Sequence, residues 1–293
     1  MRISYSMIYD QSEFNINKQY ETYFKLNEKI TTGKEVNRPS DNPIAMGNIL
    51  GYRSTISSLE QYETNIERGN AWLDATEAAL YHAEEVVESA RTLAVQMGNE
   101  LNEEQFDIAA SQVRQIAEQL LQVANSSVSG KYLFSGHKTE TPPFSMDEDL
   151  NVTYHGDNNK IKYSIDETTD VAVNITGHES FMEGTNVFDV LKKFHDALTT
   201  GDALEVGPPL EALGAAVEQI VKKWSTVGTS MTRFESAARQ VEQFKFLTED
   251  LLVDTEDTDM VKRFTELKAH EIAFNAALQS SSVITKLSLL NFI

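Results

Sequence analysis

The 293-residue chain has no cysteine, so it can form neither disulfides nor thiolate metal sites. It is also short of base. Twenty-five lysines and arginines face 45 acids, a formal charge of −20. That deficit argues against roles whose affinity comes from neutralising phosphates, and against an anionic membrane surface as partner. No run approaches the roughly twenty apolar residues of a membrane span. The start, "MRISYSMIYDQSEF", has one basic residue, no continuous apolar stretch and no small-residue cleavage site. A cleaved secretory signal is therefore not expected. The lack of cysteine suits the cytosol, and equally an exported chain that must stay free of cross-links. Proline is scarce too, with six in all, yet two fall in residues 37–43, "NRPSDNP".

What the chain does have is apolar periodicity. From Leu59, positions 62, 66, 69, 73, 76, 80, 83, 87, 90, 94, 97 and 101 alternate steps of three and four, and all but Gly69 and Thr76 are apolar. At 1.5 Å per residue this predicts a helix of roughly 60 Å. After "GNELNEEQ" the pattern resumes in Phe106, Ala109, Val113, Ile116, Leu120 and Val123. The other half answers with Leu210, Leu213, Val217, Ile220, Trp224, Val227, Met231, Phe234, Ala238 and Val241, opened by "GPPLEAL", where proline suits a first turn. Such seams are most simply buried against one another.

Residues 131–185 differ in character. Val152/Tyr154 and Ile161/Tyr163 alternate around "GDNN", which predicts a hairpin, and "VAVNITG" adds a third short strand. The expected fold is mainly α: a long antiparallel helical bundle or coiled-coil rod, with terminal helices and a small β-rich insert. Its divisions are residues 1–44 with 256–293, 45–130 with 186–255, and 131–185.

Both ends carry helical seams, with Ile3, Met7, Phe14, Ile16, Tyr20, Tyr23 and Ile30 near the start. Phe264, Leu267, Phe274, Leu278, Ile284, Leu287 and Leu290 match them near the end, and the last residues include Leu289, Phe292 and Ile293. Ends so apolar predict burial against each other and against neighbouring subunits, with full order only on assembly. These fourteen seam positions are the candidate subunit interface. In "NRPSDNP", Pro39 and Pro43 hold Arg38 and Asn42 out of helical geometry. With Pro43 first in the helix, Asn42 is the expected N-cap, Ser40 and Asp41 being close alternatives. Arg38 and Asp41 are expected to brace the turn as a charge pair, and Arg38, Pro39, Ser40, Asp41, Asn42 and Pro43 form a candidate interface loop. The acidic run "EDLLVDTEDTD" reads as a linker and helix start.

Catalytic and metal constellations find no footing. The six histidines (82, 137, 155, 178, 195 and 270) are scattered singly, and His82 reads as a solvated face residue. Asp147, Asp149 and Asn151 begin like a calcium loop, which then fails at Val152 and Asn158. Gly-rich phosphate loops and nucleophile elbows are missing as well. The chain is expected to be no enzyme and to need no cofactor or metal.

"MRIS", "LSLLNFI", "TTGKEVNRPSDNPIAMGNIL", "GKYLFSGHKTETPPF" followed by "TYHGD", and "NVFDVLKKFHDALTTGD" together resemble the flagellin superfamily over nearly the whole chain. Flagellin itself carries "SGLRINSAADDAAG" where this chain has "TTGKEVNRPSDNPIAM", which favours the superfamily's hook–filament junction members. The resemblance implies a structural, extracellular component of the bacterial flagellum, linking a ring of hook-associated protein 1 to the flagellin filament. It further implies type III export by N-terminal signals, a ring of identical subunits, and a cytosolic chaperone on Thr258–Ile293. In that layout the terminal helices lie innermost and the β insert faces outward. A filament-forming flagellin is the alternative, and a cytosolic coiled-coil adaptor a more distant one.

Overall fold

The computed structural model describes residues 5–98, 103–201 and 207–290, with side chains for all of these but 5, 6, 8, 103, 104 and 284–290. Six α-helices dominate: α1 (Tyr5–Thr32), α2 (Pro43–Met97), α3 (Glu103–Ala124), α4 (Val187–Thr200), α5 (Gly207–Glu256) and α6 (Met260–Leu290). Between α3 and α4 lie six short strands and one turn of π-helix, His178–Met182. The chain divides into two compact units. The terminal unit is Met1–Ser58 with Phe244–Ile293, and the central unit is Leu59–Gln243.

The central unit owns the hydrophobic core. Every described α2 seam position from Leu59 to Met97 is buried except the half-buried Tyr62. On α5 the seam has two grades. Leu213, Ile220, Val227, Phe234 and Val241, seven residues apart, are buried, whereas Leu210, Val217, Trp224, Met231 and Ala238 are half-buried. That is how a heptad stripe looks when one of its two rows points straight at a partner. Within this unit α2 and α5 run antiparallel. Trp224 Nε1 donates to Glu77 Oε1 at 3.2 Å, and its ring meets Tyr81 edge-on at 5.6 Å. The two polar-looking seam positions have physical reasons. Thr76 returns its hydroxyl to the Trp72 carbonyl at 2.8 Å. Gly69 lies under Phe234, where an added Cβ would come within 2.2 Å of the ring.

The β-rich segment corrects one expectation. Val152–Tyr154 and Lys162–Ser164 do not pair with each other. The strands form three separate antiparallel pairs: β1 (Ser127–Val128) with β2 (Lys131–Tyr132), β3 (Phe144–Met146) with β4 (Val152–Tyr154), and β5 (Lys162–Ser164) with β6 (Asp170–Ala172). The β3–β4 and β5–β6 turns are set by aspartates rather than by "GDNN", and the β1–β2 turn by Ser129 and Gly130 at positive φ. Asp147 accepts from the amides of Asp149 and Asn151, and Asp166 from those of Thr168 and Thr169. Instead of turning a hairpin, Asp157 folds back to accept from the His137 amide at 2.9 Å. Asp147, the first residue of the abortive calcium loop, is thus occupied as a turn brace.

An aromatic knot anchors this segment. Phe134, Phe144, Phe181 and Phe188 meet with ring centroids 5.2–6.1 Å apart. Tyr154 joins at 5.0 Å from Phe144 and donates its hydroxyl to the carbonyls of Phe134 and Asp157, both at 2.9 Å. Burial pushes its phenol up to about 12, the backbone contacts at Gly177 only partly opposing this. Asn186 then caps α4, accepting from the amides of Phe188 and Asp189, and Gly201 closes it in the left-handed conformation.

Candidate assembly interface

In the terminal unit, α1 ends at Thr32 and Gly33 takes a positive φ of 73°. The connection to α2 then runs through "NRPSDNP". Asn42 caps α2 as the sequence predicts, its Oδ1 accepting from the Ala45 amide at 3.1 Å. Asp41 braces the turn, but through backbone rather than charge. Its Oδ2 accepts from the amides of Arg38 at 2.9 Å and Asn37 at 3.2 Å. The expected Arg38–Asp41 pair is replaced: the Arg38 guanidinium reaches back to Glu28 Oε1 on α1 at 2.7 Å.

The acidic run is also not a linker. Residues up to Glu256 continue α5, and only 257–259 separate it from α6. Asp259 caps α6 by accepting from the Lys262 amide at 3.1 Å. This short connection is stitched to the one between α1 and α2. The Glu35 amide donates to the Glu256 carbonyl at 2.7 Å, and the Thr258 amide to the Gly33 carbonyl at 2.9 Å. Lys34 and Asp257 form an antiparallel bridge between them.

Two carboxylates clasp this point. Glu256, only 6% exposed, accepts from Arg53 Nη2 at 2.6 Å and pairs with Lys34. Glu35 accepts from Lys29 at 2.6 Å, Arg263 Nη2 at 2.7 Å and the Thr258 hydroxyl at 2.8 Å. Burial pushes both carboxyls up, but these hydrogen bonds and cations outweigh it and hold both below the ordinary carboxylate value. Helices α1 and α6 pack antiparallel beyond the clasp, with Tyr20 and Phe274 centroids 6.2 Å apart and His270 Nδ1 3.2 Å from Gln19 Oε1.

Among the described residues, the buried members of the terminal unit are Leu26, Val36, Ile49 and Glu256. Its exposed apolar side chains are many. Of the large hydrophobics standing in water among the described residues, all but Tyr81, Val95, Ile108 and Val221 belong to this unit. Met7, Phe14, Tyr20, Phe264 and Leu278 from the expected seams are exposed, while Ile16, Tyr23, Ile30, Leu267 and Phe274 are half-buried. Ile3 lies outside the described residues, as do the side chains of Ile284, Leu287 and Leu290 in the last turns of α6. In the loop, Arg38, Pro39, Ser40, Asp41, Asn42 and Pro43 are all exposed. Sequence reasoning missed Phe246, 69% exposed at the end of α5, together with Ile44, Leu247 and Leu251. It missed Glu35, Arg53, Glu256 and Arg263 as well, because in so charged a chain an isolated acid or base carries no periodic signal.

Family models for the bacterial flagellin N-terminal and C-terminal helical regions match residues 3–139 and 210–293. The chain belongs to the flagellin family. Flagellar hook-associated protein 3 of Salmonella typhimurium is 29% identical over 183 residues, 62% of this chain and 57% of that protein. The flagellin of Halalkalibacterium halodurans is 23% identical over 226 residues, 77% of this chain and 80% of that one. Among solved structures, the flagellar junction protein FlgL of Legionella pneumophila superposes with a TM-score of 0.61 at 17% identity. That superposition covers 73% of this chain and 100% of the other, and is a likeness of fold. The chain spans a little over half the length of the hook-associated relatives it matches. The described residues of both family matches are mostly helical, the first reaching past α3 into β1 and β2, and both include parts of the terminal unit, where most of the exposed apolar side chains lie.

Proposed function

We propose that the chain is a junction subunit of the bacterial flagellum, joining the hook-associated protein 1 ring to the flagellin filament. In this reading it acts outside the cell as a ring of identical copies, and its work is adaptation rather than catalysis. Two assemblies with different subunit packing meet, and a subunit with one compatible face for each relieves the mismatch. The observation that carries the proposal is the terminal unit, with almost no core of its own and many apolar side chains in water. Burying that surface against neighbours contributes roughly 25 cal/mol per Å² and needs no cofactor. Residues 1–44 and 256–293 would form the inner assembly layer, 45–130 and 186–255 the middle bundle, and 131–185 the outward face. Before export, a cytosolic chaperone would shield the apolar side of Thr258–Ile293.

Antibody labelling of intact flagella tests the placement: label at a single point beside the hook is expected, and label spread along the filament overturns it. Removing residues 284–293 should leave the central unit folded and abolish incorporation at the hook tip. Normal incorporation of that truncation would refute the proposal. The similarity to a flagellin over 80% of its length favours a second reading, a filament former. Purified protein growing into long filaments without hook partners would establish it.

A further inference from the structure

Residues 59–243 hold 31 acidic and 13 basic side chains, so the central unit carries −18 of the formal −20. Two such units should repel at every approach except where charge is locally absent or opposite. Two faces among the described residues come near that condition. One is a groove of about 330 Å³ between α2 and α3 that contains no charged side chain. Gln96, Gln112, Gln115 and Gln119 rim it over Leu93 and Ile116. Ile108, 60% exposed, continues the same α3 face one turn earlier. Glu118 stands exposed on α3 beside it.

The other is a shallow face of α5 of about 620 Å³. There Val221, 42% exposed, sits among Ser225 and Thr229, with the exposed cations Lys222 and Arg233 outnumbering the one acid, Glu218. The hydroxyl of Thr229 already donates to the Ser225 carbonyl at 3.0 Å, so its oxygen remains free to accept. Glutamine amides supply donors, and hydroxyls supply acceptors. An uncharged groove beside an acid meets a face on which two bases outnumber one acid. Of the four large hydrophobics that the described central unit exposes, Val221 lies on the α5 face and Ile108 one turn from the groove.

We propose that the α2/α3 amide groove of one copy receives the α5 hydroxyl face of a second copy of this chain. The contact is heterologous, head to tail, so it propagates from copy to copy and closes a ring when the rotation closes. It deepens the proposed subunit role by naming a lateral surface, and it can be tested without flagella.

Because the chain lacks cysteine, single thiols report cleanly. Purified Q115C and T229C chains are mixed at high concentration and treated with a short bismaleimide. Covalent dimers are expected from the mixture and not from either variant alone. Adding Lys222→Glu and Arg233→Glu to the T229C chain should cut the yield about tenfold, and adding Glu118→Lys to the Q115C chain should restore part of it. No dimer in the mixture, equal dimer from Q115C alone, or a yield indifferent to the charge changes would overturn the proposal. Labelling beside the hook speaks to the junction role alone, so the two can fail separately.

Discussion

The two units solve opposite problems with the same kind of helix. The central unit encloses its own seams, with α2, α3, α4 and α5 around one continuous core, and faces water with charge. The terminal unit, net −2 by difference, buries three apolar side chains and leaves eighteen large ones outside, among the described residues. It is held at its connections by hydrogen bonds and ion pairs rather than by packing. Low net charge together with exposed apolar surface is the composition of an interface awaiting its other half. High net charge around a closed core is that of a domain that folds without a partner.

The sharpest way to break this contrast is through the aromatic knot. Phe181→Ala removes a buried ring from the central core and should cost about 3–5 kcal/mol. Calorimetry should show one transition lowered while exchange protection at the clasp is unchanged. Gly69→Val should cost about 2–3 kcal/mol, since its side chain must displace the Phe234 ring from α5. A thermal midpoint equal to the parent's would contradict the close approach of the two helices.

In the terminal unit the effects should be smaller. Glu256→Gln removes the charge that Arg53 and Lys34 address. Both cations are substantially exposed, so the loss should be about 1–2 kcal/mol, read from hydrogen exchange at residues 33–36 and 256–258. Acid acts at the same place. The folded carboxyls of Glu35 and Glu256 lie below the ordinary value of 4.5, so their contribution is complete above that pH. It is then lost as pH falls through the folded values, because the unfolded chain takes up protons first. Clasp protection that persists unchanged at low pH would remove this account. Smallest of all, Phe246→Ser should alter stability by less than about 0.5 kcal/mol, because the ring stands in water. If the contrast holds, it should nevertheless impair assembly at the hook.

Much of the fold was legible because burial in a helix repeats. The α2 and α5 seams could be read residue by residue, and Asn42 was identifiable as a cap from the proline that follows it. Strand partners were not legible in the same way. Alternation says that Val152–Tyr154 and Lys162–Ser164 are strands, but the pairing is decided by Asp147 and Asp166 closing their own turns. The acidic run misled because glutamate and aspartate serve equally well on an exposed helix face and in a loop. The clasp was hidden for a related reason: its partners are separated by more than two hundred residues. The candidate interface was only half visible, since a seam shows that a face is apolar and not what covers it. Phe246 and its neighbours belong to no seam at all.

A uniform heptad stripe has a weakness, for two such helices slipped by seven residues would still match oil with oil. Along α2 and α5 one spot refuses that slippage, because the Phe234 ring fits over a missing side chain at position 69 and collides with any substitute. That spot is a detent. Sliding of one helix along the other is blocked there, by the least conspicuous residue in the seam.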